Sequence, residues 1–356
     1  MSLRSALTLL AAAQAVVADS SHPMHFRKVD SQTAQGIAAF KNIAPRGDGA
    51  LVNEQGFWFS HFTVGASKDL EILIDTGSSD AIMNPGIYQP SAASQDQNRR
   101  FHIAYATTNP DGSGTLSASG KVYHDVITQL GANLTVPQQV VGAIDQPATP
   151  PTFPHDGLIG YAGKMGASLR EDPFFTSLCA AGTLSACRFG LALRTDGTGQ
   201  LHYGAVATSE FAGALTAVKV TSLWSVTGGV TVAGKVVADN LDIATDSGTT
   251  VIFGPTADVK QVFAAAGVKA VTTSAGTVEG HYSCASPPTI GFSLGGVNFD
   301  LDPKALAFKQ DGDDCTASVI GTADFGGTWL VGQAFFQGRY IDHNVDDRTM
   351  GFANLK

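Results

Sequence analysis

An all-β chain folded into two lobes is what this sequence predicts, and three observations carry that reading. From Phe57 onward, short runs rich in Val, Ile, Phe, Thr and Tyr are broken by Gly, Asp, Asn and Pro, the pattern of many short strands joined by turns. An eight-residue element, Ile72-Leu73-Ile74-Asp75-Thr76-Gly77-Ser78-Ser79, returns 171 residues later as Ile243-Ala244-Thr245-Asp246-Ser247-Gly248-Thr249-Thr250. The 356 residues are enough for two domains, each with its own core.

Taken in order, the chain opens with one arginine and then the apolar run Ala6 to Ala18, closed by the small residues Val16 and Ala18. That order is a signal peptide over residues 1–18, too short to anchor in a bilayer, with cleavage expected after Ala18. Residues 19–47 are polar and carry Arg27, Lys28, Lys41 and Arg46, and read as a propeptide whose positive charges could block a negatively charged cleft. The clearest strand runs are Trp58 to Val64, Glu71 to Asp75, Lys121 to Leu130, Phe189 to Arg194 and Val218 to Val226. Helical stretches are few, the best candidates being Pro173 to Cys179 and Thr256 to Ala266. The repeat divides the rest into a first lobe over 48–207 and a second over 208–356.

Composition narrows the function. With 31 acidic against 22 basic residues and a net charge of −9, the chain lacks the positive surface that tracks phosphates, so no nucleic-acid partner is expected. No later segment is apolar enough to span a membrane, so the mature protein is expected to be secreted, the vacuole being the alternative, and to be free of membrane. Four cysteines in an exported chain read as two disulfides, and the local pairing Cys179–Cys187 and Cys284–Cys315 is favoured among three connectivities. Asn133-Leu134-Thr135 is a glycosylation acceptor pattern. No His-Glu-x-x-His, no zinc spacing, no Gly-x-Ser-x-Gly elbow and no phosphate-binding loop is present, so neither a metal nor another cofactor is expected. Asp311, Asp313 and Asp314 lack the rest of a calcium loop and read as a solvated turn.

The repeated element is a mount for one carboxyl group. Each copy sets an Asp at the end of an apolar run, then a hydroxyl residue, a Gly and two more hydroxyl residues. The glycine lets the backbone turn tightly and brings its amide close to the carboxylate, while the hydroxyls hold that carboxylate in place. Two carboxylates brought together cannot both ionise cheaply, so they share a proton. One then serves as base and the other as acid toward a water between them, with no covalent intermediate.

At these residues the sequence resembles the pepsin family of aspartic peptidases, including its secreted fungal members. Further matches follow in order: Trp58-Phe59 through Val64-Gly65, Asp156-Gly157-Leu158-Ile159-Gly160, Phe253-Gly254-Pro255, Cys284 with Cys315, Trp329-Leu330-Val331-Gly332, Phe335-Phe336 and Met350-Gly351-Phe352-Ala353. The resemblance implies two β-barrel-like lobes, a cleft for an extended peptide, and a β-hairpin flap. It implies Asp75 and Asp246 as the catalytic pair, Thr76 and Ser247 linking the lobes, and Ser78 and Thr249 orienting the carboxylates beside Gly77 and Gly248. It also implies Tyr105 as the flap tyrosine, substrate contact at Ile82 and Thr250, sensitivity to pepstatin-like inhibitors, and a monomer. Two departures stand out: Ile82 replaces the usual tryptophan, and Ala106 replaces the glycine after the flap tyrosine, ahead of a long segment from Thr107 to Ser113. They keep open a reading as a catalytically impaired binder of peptides. A glycosidase would also use two carboxylates, but set several ångströms apart and without paired turns. The expected function is therefore a secreted aspartic endopeptidase cutting between apolar residues at acidic pH.

Overall fold

The structure, a computed structural model, describes residues 20–26, 50–51, 57–105, 116–130, 134–147 and 156–356. The signal peptide, most of the 19–47 stretch with its four basic residues, Ala106 to Ser113 and Asn133 lie outside the described residues.

In the first half, Ile72, Leu73 and Ile74 are consecutive and all fully buried. An alternating strand would expose one of them, but the strand Ser67–Asp75 lies against Gly157–Gly160 in parallel, as strands covered on both faces do. Ala81–Met83 runs antiparallel on the other side of Gly157–Gly160 and pairs in parallel with Leu134–Pro147. The second half repeats this. Lys235–Thr245 pairs in parallel with Trp329–Val331, Ile252–Pro255 runs antiparallel to that strand, and Val319–Thr322 pairs in parallel with Ile252–Pro255. Each half thus carries its Asp just where a strand leaves the same four-stranded weave.

A sheet built from both halves joins the lobes. At its centre Arg188–Leu193 pairs antiparallel with Arg339–Asn344. Outward on one side come Thr198–Tyr203 and then Ser20–Phe26; on the other come Thr349–Asn354 and then Thr216–Ser222. The lobe boundary expected at 207/208 falls in the connection between two strands of this sheet. Part of the expected propeptide is therefore a strand here: Ser20–Phe26 pairs with Thr198–Tyr203 from Ser20↔Tyr203 to His25↔Thr198 and touches Trp58–Val64 at its end. It is pinned by two buried side chains, His22 and Met24. Burying a side chain of the size of Met contributes about 2 kcal/mol, in addition to the six-residue ladder with Thr198–Tyr203.

The helix Thr256–Ala266 buries Val259, Val262 and Phe263 and ends at Gly267, whose φ of 68° closes the last turn. Phe174–Ala180 is the other expected helix. One expectation is corrected: the apolar run Val218 to Val226 is two strands, Thr216–Ser222 and Ser225–Val232, reversed at Leu223 and Trp224. Leu223 takes φ 42°, a left-handed conformation that no Gly or Asn announced. Both disulfides form as expected, Cys179–Cys187 and Cys284–Cys315. Among the described residues no helix is long and apolar enough to cross a membrane.

Candidate active site

The two Asp turns meet face to face between the lobes. Asp75 is 2% exposed and Asp246 7%. Each carboxylate is held by its own turn in the same way. The Gly77 N–H donates to Asp75 Oδ1 (3.0 Å) and the Ser78 hydroxyl to Asp75 Oδ2 (2.7 Å). The Gly248 N–H donates to Asp246 Oδ1 (2.7 Å) and the Thr249 hydroxyl to Asp246 Oδ2. Charge-assisted bonds of this kind fix the plane of each carboxyl group as well as its position.

What brings the pair together is a reciprocal link one residue further on. The Thr76 N–H donates to Ser247 Oγ (3.0 Å), and the Ser247 N–H donates to Thr76 Oγ1 (2.9 Å). Each hydroxyl then donates across the interface, Ser247 to the Ile74 carbonyl (2.7 Å) and Thr76 to the Thr245 carbonyl (3.5 Å). All four groups are buried, so each would be costly to leave unpaired. The result is read from the glycines. A Cβ added to Gly77 would stand 2.4 Å from Asp246 Oδ1, and one added to Gly248 would stand 2.2 Å from Asp75 Oδ1. Each turn's glycine thus lies directly against the opposite carboxylate, which only a residue without a side chain allows.

The family comparison matches this geometry to known proteins: the family described as "Eukaryotic aspartyl protease" fits residues 57–355. The chain is a member of the eukaryotic aspartyl protease family. As such it is an aspartic-type endopeptidase, a hydrolase. It is 30% identical over 352 residues to an aspartic protease of Phaffia rhodozyma, covering 92% of this chain and 84% of that protein. It is 27% identical over 313 residues to secreted aspartyl protease 1 of Malassezia globosa, covering 85% and 74%. In fold it resembles the crystal structure of the aspartic proteinase from Irpex lacteus, with a TM-score of 0.73, 17% identity, and 95% and 98% of the two chains covered.

Other expected residues of this aspartyl protease fall as follows. The hairpin expected as a flap pairs Gln95–Tyr105 with Leu116–Gln129 as far as Tyr105↔Leu116; the Tyr105 side chain lies outside the described residues. Thr250 is buried, and its carbonyl accepts the Ala334 N–H (3.2 Å). Ile82 is corrected from a substrate contact to a core residue. It is 0% exposed, belongs to the first-lobe cluster with Phe57, Leu73 and Phe101, and its Cδ1 lies over Gly142. Of the acidic run, Asp313 accepts from Ser283 and Ala285, and Asp314 faces His281. No group of side chains able to hold a metal occurs among the described residues.

The sequence did not announce three features of the site. A cavity of about 290 Å³ opens beside Asp246, lined by Gly77, Leu223, Trp224, Phe325 and Leu330 among others. Asp80, five residues beyond Asp75, is buried and accepts the N–H groups of Ser168 (2.7 Å) and Leu169 (2.9 Å); burial raises its pKa above the usual carboxylate range. Gln333 is fully buried beneath the second turn, its side-chain amide donating to the Ser247 carbonyl. Asp80 and Gln333 carry no spacing signal of their own; only their position after a recognised motif could have marked them.

Proposed function

We propose that Asp75 and Asp246 are the catalytic pair of this endopeptidase and act on a water held between them. The observation that carries this is the reciprocal packing of Gly77 and Gly248 against the opposite carboxylates. Groups so close share one proton rather than both ionising. The ionised carboxylate takes a proton from the water as its oxygen bonds to the peptide carbonyl carbon. The protonated carboxyl gives its proton to the carbonyl oxygen, so no free oxyanion is formed. Collapse of the resulting diol breaks the C–N bond: the proton taken from water passes to the nitrogen while one diol hydroxyl returns its proton to the other carboxylate, leaving a carboxylic acid and an amine and restoring the pair. Because the scheme needs one proton on the pair, activity belongs to acidic pH.

The substrate is a protein or peptide in extended conformation, cut between apolar residues. Leu223, Phe325 and Leu330 line the cavity beside Asp246, and Leu223 is 48% exposed, an apolar side chain offered to a ligand. The protein works as a monomer, is secreted after loss of residues 1–18, and is made as a zymogen with residues 19–47 as propeptide.

The test is cleavage of an unfolded protein across acid to neutral pH, with and without pepstatin, beside Asp75→Asn. Acid activity lost to both inhibitor and substitution is expected, the substitution costing at least about a thousandfold. Undiminished activity in Asp75→Asn would overturn the reading. An inert wild-type protein after removal of residues 1–47 would instead favour a peptide-binding role.

A further inference from the structure

The catalytic scheme leaves one buried group beside the pair unused. Gln333 opens the short helix Gln333–Phe336 and follows Gly332, on which an added Cβ would stand 2.3 Å from the Thr249 and Val251 carbonyl oxygens. Its backbone N–H donates to the Thr249 carbonyl (2.8 Å) and its side-chain Nε2 to the Ser247 carbonyl. Its Oε1 is buried with no hydrogen-bond partner among the described residues. The amide cannot be turned over to relieve that, because Oε1 would then face the Ser247 oxygen, acceptor against acceptor. A buried amide with one end unpaired is costly, so the end that is paired invites a functional account.

That account lies in the Ser247–Gly248 peptide. The Ser247 C=O and the Gly248 N–H belong to one planar trans unit and point in opposite directions. The C=O is held by Gln333, and the N–H donates to Asp246 Oδ1 at 2.7 Å. Fixing the oxygen fixes the direction of the N–H. The same Ser247 carries the links to Thr76 and Ile74 across the lobes. In the first lobe the residue after the corresponding Gly160 is Tyr161, whose side chain leaves the turn and meets the Tyr203 hydroxyl at 2.5 Å. The second turn alone has this amide beneath it.

We propose that Gln333 is a positioning residue for Asp246: by holding the Ser247 carbonyl it aims the Gly248 N–H at the carboxylate and steadies the interlobe link. This rests on the reading of Asp75 and Asp246 as the catalytic pair. What Gln333 supplies is a neutral donor. A protonated carboxyl in its place can also donate to the Ser247 oxygen, whereas an ionised one is acceptor only and sets a negative charge against it. A carboxyl introduced there is buried, which favours its protonated form in acid.

The experiment compares wild type, Gln333→Met and Gln333→Glu as full-length chains processed identically, with kcat and KM measured on one peptide across acid to neutral pH. Gln333→Met keeps the side-chain length and removes the donor; its kcat is expected to fall about tenfold or more at every pH, with KM within about twofold. Gln333→Glu is expected to lie within about threefold of wild type at the acid end. It then drops away from wild type by about tenfold per pH unit once the introduced carboxyl ionises. A structural role alone would give one loss at all pH values. Wild-type kcat in Gln333→Met, or a folded Gln333→Glu with no acid recovery, overturns the proposal. If Gln333→Met does not fold, Gln333→Glu decides alone, since its recovery is read within one protein. Asp75→Asn, run alongside, separates the failures: activity there would refute the catalytic pair itself, whatever the Gln333 variants do.

Discussion

The two Asp turns are built to one plan but seated differently. Around Asp246, every residue from Thr245 to Thr250 is buried, whereas around Asp75 the turn surfaces, with Gly77 exposed and Ser78 half-buried. The first turn is tied down beyond its motif by a carboxyl, Asp80, gripping two backbone N–H groups; the equivalent place in the second is Val251, fully buried and apolar. The second is tied down by a neutral amide, Gln333. Symmetry therefore extends to the groups that touch the two carboxylates and stops one layer behind them. The lesson is that the chemistry constrains where two carboxylates point, while each lobe solves the anchoring problem with whatever its own core allows.

The largest effect that would break this comparison is at the glycines. Gly77→Ala and Gly248→Ala each push a methyl into the opposite carboxylate, at 2.4 and 2.2 Å. Each is expected to lower kcat/KM by at least about a hundredfold, the cost of displacing a reacting group by an ångström. Gly248→Ala should lose more, because the exposed first turn can yield outward and the buried second cannot. Equal losses would mean that the seating is immaterial.

Next comes pH. His343, in the strand Arg339–Asn344 at the centre of the shared sheet, is fully buried and stacked on Phe189 with ring centroids 4.3 Å apart; burial pushes its pKa down to about 3. His22 in the edge strand is lowered for the same reason, with His202 nearby adding to the effect. A histidine held neutral by the fold contributes its full stability above its unfolded pKa of about 6.5 and loses it as the pH falls toward its folded value. Asp80 has the opposite sign: its raised pKa gives stability present at low pH and lost as the pH rises through the folded value. Thermal unfolding should therefore show the shared sheet weakening in acid by a few kcal/mol, of order ~1.4 kcal/mol per unit of pKa shift. His343→Phe should flatten that acid limb, whereas Asp80→Asn, by removing a group whose stabilisation grows as the pH falls, should steepen it. An acid limb that survives His343→Phe would assign it elsewhere.

The smallest effect compares the disulfides, one beside each lobe's strands. Cys179–Cys187 closes a separation of 8 residues and Cys284–Cys315 one of 31. Loop-closure entropy makes removal of the longer link the costlier by about 1 kcal/mol. Paired Cys→Ala variants unfolded in urea would measure it, and the reverse order would show that strain or packing outweighs chain entropy.

Most of the site's first layer was legible because the chemistry repeats: Asp75 and Asp246 stand in matched turns, and the hydroxyls and glycines around them sit where the motif implies. The strands behind them were legible from apolar runs such as Ile72 to Ile74. The misses have physical reasons. Leu223 makes a tight reversal without the Gly or Asn that usually accepts a positive φ, so one run was read through two strands. Ile82 was assigned by position, but its side chain is apolar and packs into the core with Phe57, Leu73 and Phe101. Gln333 hides in the run from Trp329 to Phe336, where a single amide changes no periodicity. Its meaning depends on a hydrogen bond to a residue that pattern reading cannot pair with it.

The order of strands in the shared sheet also bears on how the molecule is made. Ser20, near the start, lies beside Tyr203, and Thr216–Ser222 lies beside Thr349–Asn354, the last strand of the chain. The strands of the first lobe pair mostly with near neighbours in sequence, whereas the sheet that sets one lobe against the other joins segments far apart along the chain, Arg188–Leu193 with Arg339–Asn344 and Thr216–Ser222 with Thr349–Asn354. Pairings so distant along the chain are slow to find. The seating of Asp75 against Asp246 therefore rests on a sheet whose strands are far apart in sequence, and slow pairing of those strands is expected to limit how fast the two lobes dock.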